Sequence, residues 1–247
     1  MKKINVTIYN EYYHERYEPN VAAVYPQGIH QAIADALSTE SDVGKIVIAT
    51  LDNHTSVLTQ KCLDDTDVLF WWGHVKHNEV CDEVVARVCN RVNEGMGMVV
   101  LHSGHASKVF MRLLGTNTGM LRWRESDDKC LVWVVNEGHP IVEGLPPCFE
   151  VPVEETYGEQ FGIPAPDELI FISWFEGGEV FRSGCTFKRG AGKIFYFQNG
   201  HETYPVYYQE EIKLILRNAM RWCCPYERKI VYDLGGPNAK PKIEKNV

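Results

Sequence analysis

Short blocks of apolar residues recur along the chain and predict strands at Ile4 to Tyr9 (INVTIY), Lys45 to Leu51 (KIVIATL), Asp67 to Gly73 (DVLFWWG) and Gly97 to His102 (GMVVLH). Between them the spacing becomes helical. Ile29, Ile33 and Leu37 lie four residues apart within Tyr25 to Leu37, Val80, Val84, Val88 and Val92 follow the third strand, and Ala106 to Leu114 follows the fourth. Strands that are apolar throughout, separated by amphipathic helices, predict an α/β fold whose mainly parallel sheet is doubly wound, with helices on both faces in three layers. From Cys130 the strand candidates crowd together: Cys130 to Val135, Phe149 to Tyr157, Leu169 to Phe175, Val180 to Phe187 and Lys193 to Gln198. Gly177-Gly178 and the run Arg189 to Gly192 read as turns between them, and these strands are expected to extend or edge the main sheet. A last helix is predicted to open at Tyr204-Pro205, to bury Ile212, Ile215, Leu216 and Ala219, and to end at Cys224-Pro225. Residues 1–226 are therefore read as a single domain. Residues 227–247, rich in Gly, Pro and Lys, are read as a tail that is poorly ordered or rests on a neighbouring subunit, in keeping with a homodimer or larger homo-oligomer.

Composition narrows the class of protein. With 247 residues, 45% of them hydrophobic and 23% charged, the chain has room for a large core. Its 25 Lys+Arg against 33 Asp+Glu leave a net charge of −8, which argues against nucleic acid as a partner. No run approaches the roughly 18 apolar residues of a membrane span, and Met1 to Thr7 leads into strand pattern without an apolar leader, so the expected location is cytoplasmic. The eight cysteines are scattered with no CxxC pair and are read as reduced, mostly buried thiols.

Chemistry in an open parallel sheet sits beyond the carboxyl ends of its strands. There the sequence places Asn10-Glu11-Tyr12-Tyr13-His14-Glu15, His74-Val75-Lys76-His77-Asn78-Glu79, His102-Ser103-Gly104-His105 and Asn199-Gly200-His201-Glu202. Six of the nine histidines fall in these four stretches, so folding is expected to bring them together. Imidazoles grouped with carboxylates suit a borderline divalent metal, zinc above all, or proton transfer near neutral pH. His74, His102 and His201 stand directly at strand ends and are the strongest candidates. His77 and His105 lie inside helix starts, where bonding to the backbone is the readier explanation of each taken singly, so they are the weaker candidates, and His30, His54 and His139 are read as structural. Val100 to His105 has the outline of a nucleophile elbow, but the displayed residue is His102 rather than Cys or Ser, and Ser103 is read as a helix N-cap. Around Tyr157, strand alternation places Glu155 on the same face and Glu154 on the other, so one carboxylate of a cluster that would otherwise be solvated can point inward. Aromatic residues near the strand ends, Trp71, Trp72 and Tyr204 among them, are read first as core and second as platforms for sugar rings.

Taken together, several stretches resemble the trehalose-utilisation (ThuA-like) family. They are Asn10-Glu11 with His14-Glu15, Trp71-Trp72-Gly73-His74 with His77, Gly95 to His105, His139-Pro140-Ile141 with Gly144, Glu155-Thr156-Tyr157-Gly158, and Gly192 to Phe197 leading to Gly200-His201-Glu202. The resemblance runs from Tyr9 to about Trp222 and implies the fold of the class I glutamine amidotransferases, a flavodoxin-like arrangement. It implies a role in sugar metabolism, among trehalose, related disaccharides and their keto derivatives. Where amidotransferases carry the elbow cysteine this chain has His102, so release of ammonia from glutamine is not expected.

The resulting expectation is a carbohydrate enzyme with a metal-bearing pocket and a small sugar as partner. His74, His102 and His201 are assigned as metal ligands. His102, Glu155 and Glu202 are assigned to catalysis, and Asn10, Glu11, His14, His77, His105, Tyr157 and Tyr204 to substrate binding. The competing expectation is a sugar-binding or regulatory module that kept the pocket without turnover.

Overall fold

The computed structural model describes residues 3–228 of the chain. The polar tail expected from residue 227 onward lies almost entirely outside the described residues. One nine-stranded sheet organises the molecule: β1 (Ile4–Asn10), β2 (Val43–Thr50), β3 (Val68–Trp72), β4 (Gly97–Leu101), β5 (Arg122–Val134), β6 (Cys148–Gly158), β7 (Glu168–Phe175), β8 (Val180–Arg189) and β9 (Gly192–Phe197). Their order is β2-β1-β3-β4-β9-β8-β7-β5-β6.

The first five strands in that order pair in parallel, and the remaining pairings are all antiparallel. A mainly parallel sheet was expected; the sheet is mixed. The reason lies in the connections. Strands joined by short turns, four residues at Glu176–Glu179 between β7 and β8 and two at Gly190-Ala191 between β8 and β9, can only run antiparallel, whereas a parallel step needs a crossover. The crowded second-half strands do extend the main sheet, because β9 returns to pair with β4 and carries β8, β7, β5 and β6 with it.

Helices α1 (His14–Tyr17), α2 (Pro19–Val24), α3 (Ile29–Ser38), α4 (His54–Val57), α5 (Gln60–Asp64), α6 (Asp82–Asn93), α7 (Lys108–Leu114) and α8 (Glu210–Cys223) complete the fold. Helix α3 packs with α8, while α6 packs with α5 and α7, which gives a helical layer on each side of the parallel strands. The buried stripes are those the spacing predicts, Ile29, Ile33 and Leu37 on α3, Val84, Val88 and Val92 on α6, and Ile212, Ile215, Leu216 and Ala219 on α8. Two helix starts differ from expectation. Helix α7 begins at Lys108 because the hydroxyl of Ser107, not Ser103, accepts from the Phe110 amide, and the preceding His102–Ala106 forms a 3₁₀ turn. Helix α8 begins at Glu210, after a separate 3₁₀ turn at Val206–Tyr208.

Register makes the site. Asn10 of β1 pairs with Trp72 of β3, Trp72 with Leu101 of β4, and Leu101 with Phe197 of β9. The four parallel strands thus end level, and the chain leaves each at the same rim.

Candidate functional site

His102 is the first residue beyond β4 and has φ 48°, a left-handed conformation uncommon for a side chain larger than glycine. The turn presents the imidazole across the rim, as the elbow motif predicts. Its Nδ1 lies 2.8 Å from the carbonyl oxygen of Gln198, so Nδ1–H donates there and Nε2 is turned toward the other imidazoles. His201, on the segment after β9, has Nδ1 2.7 Å from the hydroxyl of Thr203, and its Nε2 also faces the cluster. His74, on the segment after β3, completes a group of three rings with centroids 5.2–6.1 Å apart. Glu202 joins them. Its Oε1 lies 2.5 Å from Nδ1 of His14 and 3.1 Å from Nδ1 of His74, while its Oε2 faces His201 Nε2 at 3.7 Å.

Two buried carboxylates fix this geometry from behind. Glu11 accepts three consecutive backbone amides, from His74 (2.9 Å), Val75 (3.0 Å) and Lys76 (2.8 Å), and so holds the loop that carries His74. Glu154 accepts the amides of Gly200 (2.7 Å) and His201 (3.2 Å) and holds the loop that carries His201. Gly200 itself has φ 137°, and a β-carbon there would collide with the hydroxyl of Tyr207, so this turn requires glycine.

The cluster is electrostatically uneven. For His102, burial acts to lower the pKa, but the Glu155 carboxylate 3.0 Å from Nε2, with Glu154 and Glu202 behind it, outweighs burial and raises it to about 9. Burial and the neighbouring His102 instead lower His201 to about 4. Burial with the surrounding imidazoles lowers His105 to about 3, and burial with His74 lowers His77 to about 4. Burial opposes the ionised form of Glu202, but bonds to His14 and His74 hold it well below the usual carboxylate range. Glu155 is likewise lowered by His102 against the effect of burial, whereas burial raises the interior Glu154 to about 7. The region therefore concentrates negative charge out of water, where a cation is favoured.

The donor set fits such a cation. Side-chain ligand atoms of His74, His102, His201 and Glu202 all lie within 4.8 Å of one another. Tetrahedral zinc with bonds of ~2.0–2.1 Å needs donors about 3.3 Å apart, a small contraction from this arrangement. Nε2 of His102 is paired with Oε2 of Glu155 at 3.0 Å, whereas Nε2 of His201 and Oε2 of Glu202, 3.7 Å apart, are buried without a hydrogen-bond partner, which is unusual for polar atoms in a folded interior. In both His102 and His201 the opposite nitrogen is bonded to an oxygen, the arrangement that orients a metal-binding imidazole.

A cavity of about 310 Å³ opens beside the cluster, lined among others by His74, Ser103, His105, Glu155 and Tyr157. Of the residues assigned to substrate binding, His105 and Tyr157 line it. Tyr157 shares a 2.9 Å hydrogen bond with the hydroxyl of Ser103, which is thus a wall residue and not a helix cap. Asn10, Glu11, His14, His77 and Tyr204 do not line the cavity. Asn10 is fully buried and its amide donates to Glu15. His14 supports Glu202, and the Tyr204 hydroxyl donates to Asp127. Glu154 and Glu155 are both buried, so the inward reading of one carboxylate holds for two.

His30, His54 and His139 have structural partners, as expected: Asn10 Nδ2 for His30, the Leu51 carbonyl and Cys81 amide for His54, and the Ile141 amide for His139. The described cysteines are all free thiols. Two cavity residues, Trp123 and Glu125, were not anticipated. They sit in the charged run Arg122 to Asp128, where the alternation of Trp123 and Glu125 with Arg122 and Arg124 is the faint strand signal that could have found them.

The sequence matches the trehalose utilisation (ThuA) family over residues 5–223. The chain belongs to this family. Among solved structures it is similar to a ThuA-like protein from Parabacteroides merdae, with 14% identity, a TM-score of 0.68 and 90% of each chain covered. It is also similar to a ThuA-like protein from Bacteroides uniformis, with 18% identity, a TM-score of 0.64 and 90% of this chain and 91% of that one covered. A cytoplasmic protein from Salmonella typhimurium shares the fold at 11% identity and a TM-score of 0.59, covering 90% of this chain and all of that one. No curated protein matches the chain. Among the described residues, no helix of this ThuA family member is long and apolar enough to cross a membrane.

Proposed function

We propose that this ThuA family member is a divalent-cation-dependent enzyme of carbohydrate metabolism that acts on a disaccharide or its keto derivative. The observation that carries the reading is the convergence of His74, His102, His201 and Glu202 from three strand ends, with their ligand atoms within 4.8 Å of one another next to a cavity. Zinc is the cation this donor set suits best. Bound there, it supplies Lewis acidity toward a sugar carbonyl or a water molecule.

The chain's own groups do the rest. Glu155 lies beside both His102 and the cavity, placed to take or return a proton at a sugar carbon or hydroxyl. Glu202, held by His14 and His74, keeps negative charge fixed against the cation. Tyr157 and Ser103 offer a pair of hydroxyls for orienting a polyol, and the neutral His105 is able to accept a hydrogen bond from one. No thiol or hydroxyl stands at the elbow as a nucleophile, so covalent transfer chemistry is not part of the reading.

The test is to measure metal content of purified protein, then incubate zinc-loaded protein with a panel of disaccharides and their keto forms and read products by mass spectrometry. Stoichiometric metal that is lost in His102→Ala, with a product that disappears in the same variant, is the expected result. Sugar binding with no metal and no conversion would instead establish the non-catalytic module.

A further inference from the structure

Trp123 is 64% exposed, although it lines the cavity. A large aromatic side chain left in solvent at a cavity rim is the exception that calls for an explanation. On β5, Trp123 pairs directly with Tyr157 of β6, so the indole stands on the same face as the phenol that forms the cavity wall. Two residues further along β5, Glu125 lines the same cavity and reaches within 4.0 Å of Nε2 of His201.

This segment is anchored. On its other side Arg124 bonds to Glu179 and Asp128, and the Thr156 hydroxyl donates to Asp128 at 2.6 Å. The register shifts between Arg124 and Asp128, Asp127 has φ 55°, and the hydroxyl of Tyr204 donates to the Asp127 carboxylate at 2.8 Å. The bulge is thus pinned at both ends, and it aims Trp123 and Glu125 over the mouth of the site.

A pyranose ring has an apolar face of C–H groups and a girdle of hydroxyls. An indole face matches the first and a carboxylate the second. A cavity of about 310 Å³, at the lower end of the ~300–1,000 Å³ range for small-molecule sites, has room for more than one pyranose ring, and its lining runs from the buried His105 and Glu155 to the exposed Trp123 and Glu125, so a ring at the buried end leaves a second at the rim. We infer that Trp123 and Glu125 form an outer subsite that receives the second ring of a disaccharide, the indole stacking on it and the carboxylate accepting its hydroxyls, and so select disaccharides over monosaccharides.

This rests on the sugar reading of the inner site, and the experiment separates the two. Zinc-loaded protein is titrated calorimetrically with trehalose and glucose and with the keto form of each. Wild-type protein is expected to bind the disaccharide about tenfold tighter than the matching monosaccharide, the advantage expected of one stacked ring. Trp123→Ala is expected to erase that ratio while leaving monosaccharide affinity, metal content and melting temperature unchanged. Trp123→Phe restores most of the ratio, and Glu125→Ala weakens the disaccharide alone. An unchanged ratio in Trp123→Ala, or equal losses for both sugars, overturns the outer subsite and leaves the inner site standing. A wild-type protein that binds no sugar removes the functional reading and the subsite together.

Discussion

At the residue scale the site depends on which atom of each histidine is free. Thr203 determines this for His201 by occupying Nδ1 and leaving Nε2 for the cluster. Replacing it with valine keeps the shape of the side chain and removes the bond, so Thr203→Val is expected to weaken zinc about 10–100-fold, as loss of an orienting partner commonly does. Competition with a chelating dye measures it, and unchanged affinity would show that His201 is not a ligand. Glu11 raises a different question, because it does not line the cavity beside the cluster yet takes three amides in succession. In Glu11→Gln one acceptor becomes a donor that faces N–H groups. The expected cost is about 1–3 kcal/mol of stability, together with weaker metal binding as His74 shifts. A variant that melts lower but binds zinc as tightly as wild type would reduce Glu11 to a purely structural role. The strand-end histidines were legible in the sequence because a level parallel sheet turns position after a strand into position in space. That Asn10, His14 and Tyr204 bond to Glu15, Glu202 and Asp127 was not, since a residue on the rim can face the cavity or its neighbour, and only side-chain direction decides.

At the scale of elements, the strand whose length departs furthest from expectation is the instructive one. Periodicity placed the start of β5 at Cys130, yet the strand begins at Arg122. The missing stretch, Arg122 to Lys129, is almost entirely charged or polar, held by ion pairs from Arg124 to Asp128 and Glu179 and largely exposed, where burial writes no pattern. The next contact along the same sheet is Glu159 with Arg182, bonded at 2.8 and 3.0 Å, with the Phe161 and Arg182 amides also donating to the carboxylate. Burial would raise Glu159, but these bonds hold its pKa below the usual value. A carboxyl depressed in the folded state contributes stability above its unfolded pKa of about 4.3 and loses it as pH falls through the folded value. Glu159→Gln is therefore expected to unfold more easily than wild type at pH 7, by about 1 kcal/mol, with the gap closing toward pH 3. Denaturant titrations at the two pH values measure it, and a gap that persists at pH 3 would assign the effect to packing.

At the scale of the whole molecule, the two kinds of sheet have divided the labour. The parallel half, with its level strand ends, supplies His74, His102, His201 and Glu202. The antiparallel half, reached only because β9 turns back through β8, supplies Glu155, Tyr157, Trp123 and Glu125. The parallel half was legible from apolar runs and its extension by the later strands was expected, while the order of those strands was not legible, since it depends on contacts distant in sequence. A cation at this junction ties together residues 74, 102 and 201–202, so binding it must stabilise the native state alone. At zinc concentrations of 100 times Kd the gain is about 2.7 kcal/mol, which for a domain of this size raises the melting temperature by roughly 5–10 °C. The shift should be reversed by a chelator. It should also shrink as pH falls, because zinc has to displace the proton that His102, raised to about 9, carries below that pH. Thermal unfolding of wild type and His102→Ala, with and without zinc, reads this directly: the variant should melt at the same temperature in both conditions. A wild-type protein whose unfolding ignores every divalent cation would mean that the buried carboxylates are balanced by His102 and His14 rather than by a metal, and that the imidazoles gathered at the rim are not a cation site.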